Sequence, residues 1–195
     1  MSSTAGKLDI CNMALGFIGS RGIASLTENT PEAVQCGLFW DRARRAALED
    51  YPWNFATRRA RLAEKPLPEA WAGEWRHCYA LPDLCLRALR VGRGGPFRLR
   101  GDGQGAFILS DEGQAWLEGV FDTPDVSLWS ELFVMAMARR LACLIAIPLL
   151  KNNPGKLQEL EQLYRMALPK ATGQDAAEGR EAPNRDAWLQ ARRAW

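Results

Sequence analysis

A proline just past an amphipathic stretch fixes the first boundary in this chain. Residues 50–62 read Asp-Tyr-Pro-Trp-Asn-Phe-Ala-Thr-Arg-Arg-Ala-Arg-Leu. Pro52 pushes Tyr51 out of helical geometry, so a helix arriving from upstream ends near Asp50 or Tyr51. Tyr51, Trp53 and Phe55 then recur at every second position, which predicts an extended segment with three rings on one side. Three arginines follow at once. Aromatic and guanidinium groups gathered at a break between elements make a packing and docking surface, and the chain carries almost no catalytic equipment elsewhere.

The 195 residues suit one domain, which buries roughly 70% of its unfolded surface without disulfides or metals. Net charge is only +2, so any nucleic-acid signal has to be local. The positive charge is 20 arginines against 5 lysines, and there are 8 tryptophans. Arg and Trp are enriched at interface hot spots; GC-rich coding accounts equally well for the arginines, less well for the tryptophans. The odd set of Cys11, Cys36, Cys78, Cys85 and Cys143 lacks CxxC spacing, which argues for reduced thiols packed as small core residues. The opening Met-Ser-Ser-Thr-Ala-Gly-Lys lacks the form of a secretory leader.

Periodicity predicts helices over residues 8–19 and from Pro31 to about 50, the second capped by Thr30 with Pro31 at its first position. A third helix, from about residue 127 or a turn earlier to Ile147, is apolar nearly throughout, which puts it at the centre of a helical body. Its uninterrupted apolar part, residues 141–150, is too short for the ~20 residues of a bilayer span, so a buried core helix is expected rather than an anchor. A fourth starts at Asn153-Pro154 and stops at Gly173. Between the helices the period changes to strand-like alternation, with short strands at 77–82, 86–91, 97–100, 106–109 and 115–120 and a glycine-rich hairpin turn at 101–105. The expected fold is α+β and mainly helical. A bundle of about four helices (residues 1–75 and 123–173) carries a small inserted antiparallel sheet (76–122) and an extended C-terminal tail (174–195).

The chemistry-bearing residues are sparse. His77 is the sole histidine, so a His-based metal site is not expected. Gly101-Asp-Gly-Gln-Gly lacks the Lys-Ser/Thr of a phosphate loop and reads as a turn. No metal, cofactor or catalytic set is expected. Residues 42–61 hold Arg42, Arg44, Arg45, Arg58, Arg59 and Arg61 against Glu49 and Asp50. This cluster is either a subunit interface or channel lining, or a solvated face whose ion pairs contribute little each.

The tail sets Trp188, Arg192 and Trp195 on one face of a short helix, beside Leu189 and Arg193. Ordering it costs ~1–2 kcal/mol per residue, more than two indoles return. It therefore needs a groove, supplied by this chain or by another protein.

In order along the chain stand Ile10-Cys-Asn-Met-Ala-Leu-Gly-Phe-Ile-Gly, Ser25-Leu26, Pro31-Glu-Ala, Tyr51-Pro-Trp-Asn-Phe-Ala, Tyr79-Ala-Leu-Pro-Asp-Leu-Cys-Leu-Arg, the apolar stretch 132–147 and a last helix at 157–168. This succession, over residues 8–170, resembles the head-to-tail adaptor family of short-tailed bacteriophages, often called tail tubular protein A. The resemblance implies a non-enzymatic ring, expected to be dodecameric, between the portal protein and the tail nozzle protein. DNA passes through its channel without sequence-specific binding and without any membrane. It implies a virion tail or neck location after assembly in the host cytoplasm. On that reading Trp188, Leu189, Arg192, Arg193 and Trp195 dock on the portal. The rival reading is a small nucleic-acid-binding or regulatory protein that uses the 42–61 arginines.

Overall fold

Three of the helices begin where a side chain satisfies an amide of the first turn. The computed structural model describes residues 6–150 and 153–178. Its helices are α1 (Lys7–Phe17), α2 (Pro31–Glu49), α3 (Glu131–Leu149) and α4 (Pro154–Glu178). Thr30 Oγ1 accepts from the Ala33 amide at 3.3 Å, Ser130 Oγ from Phe133 at 3.3 Å, and Asn153 Oδ1 from Lys156 at 3.1 Å. Asn12 then clamps the loop after α1: its side chain accepts from the Ile23 amide at 2.8 Å and donates to the Ile23 carbonyl at 3.0 Å.

α3 lies at the centre, with α1, α2 and α4 each packed on it. It is long and apolar enough to cross a membrane, and here Phe133, Val134, Met137, Leu141 and Ile145 are buried in the helical layer. Ile10, Leu15, Trp40, Leu48 and Trp53 complete that core. Trp129 stacks on Trp40 at 5.9 Å and meets Phe133 edge-on at 4.9 Å.

Seven strands follow: β1 (Thr57–Arg61), β2 (Glu64–Lys65), β3 (His77–Ala80), β4 (Cys85–Val91), β5 (Phe97–Asp102), β6 (Gly105–Ser110) and β7 (Trp116–Phe121). They make two antiparallel sheets, ordered β1-β7-β4 and β2-β3-β6-β5. Val91, Leu117 and Phe121 of the first meet Tyr79 and Ile108 of the second in a separate core. The other face of the first sheet turns Val120, Leu86 and Leu89 to the helices. The other face of the second, Cys78, Phe107 and Leu109, is covered by Leu67, Trp71 and Trp75.

This architecture overturns the expected mainly helical four-helix bundle with one small inserted sheet. Among the described residues there are four helices, but they pack against a two-sheet unit of seven strands. The sequence pattern underweights the sheets because β1 and β2 carry almost no hydrophobic alternation. β1 is Thr-Arg-Arg-Ala-Arg at a sheet edge, and only Ala60 packs into the second core. Register with β7, from Thr57↔Val120 to Arg61↔Trp116, makes it a strand.

Three local expectations change as well. Residues 51–56 form a turn rather than an extended strip, because Trp53 folds inward, fully buried, and donates Nε1–H to the Ala47 carbonyl at 2.9 Å. Tyr51 and Phe55 flank that ring at 5.3 and 6.4 Å. Pro148 is accommodated in the last turn of α3, which runs to Leu149. Gly173 does not stop α4, which continues to Glu178; Asp175 there accepts from the Asn54 amide at 3.0 Å, tying the helix to the 51–56 turn.

Candidate partner-binding surface

Directly opposed residues of antiparallel strands share a face, so the register of the first sheet dictates what meets on its outer surface. Arg59 of β1 and Arg90 of β4 both lie opposite Glu118 of β7, and Arg61 lies opposite Trp116. Nearer the helices this face is covered. Beyond them it is open, and Trp116 is 53% exposed.

Arg59 Nε and Arg90 Nη2 donate to the same Glu118 oxygen, Oε2, at 3.1 and 2.8 Å. The hydrogen bond from Arg90, helped by Arg59, holds the Glu118 carboxyl below the usual carboxylate range. An ionised, doubly bonded carboxylate is a poor proton donor or acceptor, so its work is to aim the two guanidinium groups. Arg59, Arg90, Gly92, Trp116 and Glu118 line an open cleft of about 360 Å³. Two cations against one anion leave a net positive charge beside an exposed indole. Such a cleft can grip a carboxylate or phosphate while apolar surface covers the ring.

The predicted arginine cluster is divided by the fold. Arg44 is buried and donates from Nε and Nη2 to Asp122 at 2.7 and 2.9 Å. Arg45 Nε reaches the same carboxylate at 2.9 Å while its side chain stays 55% exposed. Both tie α2 to the end of β7, and Asp41 adds a further bond to Arg44. Arg58 sits 4.3 Å over the Phe121 ring. Arg42 and Arg61 are exposed, on α2 and β1 respectively. Thus Arg59 and Arg61 belong to the cleft face and Arg44 serves the core.

Sequence pattern alone does not single out Trp116, Arg90 and Glu118. The alternation of Trp116, Glu118 and Val120 in a predicted strand was the available signal, but the pairing that adds Arg90 is long-range. Trp188, Leu189, Arg192, Arg193 and Trp195 lie outside the described residues.

The remaining candidates take structural places. His77 Nδ1 pairs with Glu64 Oε1 at 2.7 Å, and its ring stacks on Tyr79. The glycine-rich segment is the β5–β6 turn, with Gly105 at φ +126°. Cys78 and Cys85 stand in different sheets, and no cluster of metal-ligating side chains occurs among the described residues. Cys11 and Cys36 are free thiols buried in the helical core, and the neighbouring Cys36 thiol together with burial pushes the Cys11 thiol far up. No protein-family model matches this chain, and neither does any curated protein.

Proposed function

We propose that this chain is a structural adaptor, the head-to-tail connector of a short-tailed bacteriophage. It assembles into a ring on the portal protein, joins it to the tail nozzle and leaves a channel for DNA, working in the virion neck and transforming no substrate. The resemblance of residues 8–170 to that family is the sequence basis.

The observation that carries the reading is the half-exposed Trp116 in the cleft that Arg59 and Arg90 also line. An indole held beside two aimed guanidinium groups is the composition of a protein-contact hot spot. A ring multiplies such contacts, so each can be weak.

The test is to mix the purified chain with portal rings and image the product by negative stain, beside variants. A ring capping the portal is expected, weakened by Trp116→Ala and by removal of residues 179–195, a deletion that leaves α4 whole. No complex with portal would end the reading. Tight binding of duplex DNA by the isolated chain, with a steep salt slope, would favour the nucleic-acid rival instead.

A further inference from the structure

The outward face of α2 has a composition that the described residues of its own subunit do not explain. Pro31, Val34, Gly37, Leu38, Arg42 and Arg45 succeed one another at helical spacing, all exposed. Val34 is 51% and Leu38 63% exposed. Between them sits Gly37, in mid-helix. A Cβ there would meet nothing within 4 Å, and its φ is not among the positive ones. Neither backbone nor packing among the described residues calls for glycine at this position, although glycine weakens a helix relative to alanine. What glycine provides on an exposed apolar stripe is room for another backbone to come close.

α4 carries a matching face. Glu159, Gln162, Met166, Pro169 and Gly173 follow one outward stripe, and all are exposed. Met166 is 67% and the adjoining Leu163 43% exposed, while Leu160 and Tyr164 point into the core. Gly173, like Gly37, has open space where a Cβ would stand. α2 and α4 both pack on α3, so each keeps an outer face of its own.

We infer that the outward face of α2 in one copy of this chain packs antiparallel on the outward face of α4 in the next, with Leu38 against Met166. Charge selects the direction. Stepping from Leu38 toward the end of α2 reaches Arg42 and Arg45, with Asp41 beside them bonded to Arg44, and stepping from Met166 toward the start of α4 reaches Gln162 and Glu159. The antiparallel arrangement therefore sets Arg45 opposite Glu159, which Lys156 also holds, Arg42 opposite Gln162, and Pro31 opposite Gly173. The parallel arrangement sets Arg45 against Gly173 and leaves Glu159 beside Pro31. The two faces differ, so the contact is heterologous and propagates head to tail. It rests on the connector reading for its closure into a ring, and it names the subunit contact that such a ring requires.

Sedimentation velocity of the full chain, from micromolar to millimolar concentration, tests the contact. Wild type should gain mass with concentration. Leu38→Glu and Met166→Glu should each remain monomeric with an unchanged melting temperature, since both side chains are exposed. An equimolar mixture of the two variants retains one intact α2 face and one intact α4 face, so it should form a one-to-one dimer and stop there. Gln162→Lys, a polar exchange opposite Arg42, should weaken association by about tenfold. A wild type that stays monomeric at millimolar concentration, a variant that associates like wild type, or a mixture that stays monomeric overturns the proposal. Self-association without portal binding would keep this contact and remove the connector reading. Unimpaired rings of Leu38→Glu on the portal would do the reverse.

Discussion

Arg44 on α2 and Asp122 just past β7 form a buried two-pronged ion pair across 78 positions of sequence, Nε to Oδ1 at 2.7 Å and Nη2 to Oδ2 at 2.9 Å. Their side chains are only 6% and 3% exposed. The pair pins the helical layer to the sheet that carries Trp116 and Glu118. It therefore sets where the candidate surface stands relative to the helices.

Removing one partner strands the other charge away from water. Asp122→Asn should cost up to about 3–5 kcal/mol, because Arg44 then keeps its burial with only the exposed Asp41 left as a counter-ion. Replacing both, as Arg44→Met with Asp122→Leu, should cost clearly less than Asp122→Asn alone. Urea unfolding of the variants and wild type checks this, and an equal or greater loss in the double variant would show that the pair is stabilising in its own right.

The same carboxyl gives a pH dependence with a definite sign. Burial resists ionisation of Asp122, but the bonds from Arg44 and Arg45 outweigh it and hold the carboxyl below its ordinary range. The unfolded chain therefore takes up this proton at a higher pH than the folded one. The contribution is complete above the ordinary aspartate value of about 3.9 and is lost as pH falls through the lower folded value. Urea midpoints should fall steeply below about pH 4, and Asp122→Asn should flatten that part of the profile.

What the sequence disclosed follows how local the determining physics is. Thr30-Pro31 and Asn153-Pro154 announced their helices because a cap and a fixed φ act within one turn. The β5–β6 hairpin was equally plain, since glycines and alternation sit side by side. β1 was hidden: an arginine-rich edge strand becomes visible only through its register with β7, some sixty residues on. The fate of the arginines was hidden for the same reason. Arg44 and Arg42 look alike in sequence, yet one meets Asp122 in the interior and the other faces solvent. Arg90 and Glu118 joined the candidate surface through strand pairing alone, so no local motif could have named them. Trp53 is the reverse case, conspicuous in sequence yet used to seal the core.

Gly119 shows how tightly the bulged strand lies on its neighbour. β4 is irregular beside Arg87 and Ala88, and a Cβ on Gly119 would stand 2.8 Å from the Arg87 carbonyl oxygen and 3.3 Å from Cys85 Sγ. The backbone oxygen cannot rotate away as a side chain would. Gly119→Ala should destabilise by about 1–3 kcal/mol through overpacking. Its effect should extend to the cleft, because Glu118 is the adjacent residue. Thermal melting gives the first quantity, and quenching of Trp116 fluorescence by iodide, against a Trp116→Phe control, gives the second. A melt identical to wild type would mean that β4 gives way freely.

Gly37 should respond in the opposite direction. It too is a glycine inside a regular element, but a methyl group there meets nothing within 4 Å and the helix gains a better former. Gly37→Ala should stabilise the monomer by up to about 1 kcal/mol, raising the melting temperature by roughly 2–4 °C for a chain of this size. If α2 is approached closely by another helix, the same methyl group stands in the way, so self-association should weaken while the fold strengthens. Those two readouts normally move together, since a firmer helix is a better-ordered docking face. Their separation in a single variant would locate the reason for the glycine outside the subunit. A variant that melts higher and associates as well as wild type would place no neighbour against Gly37.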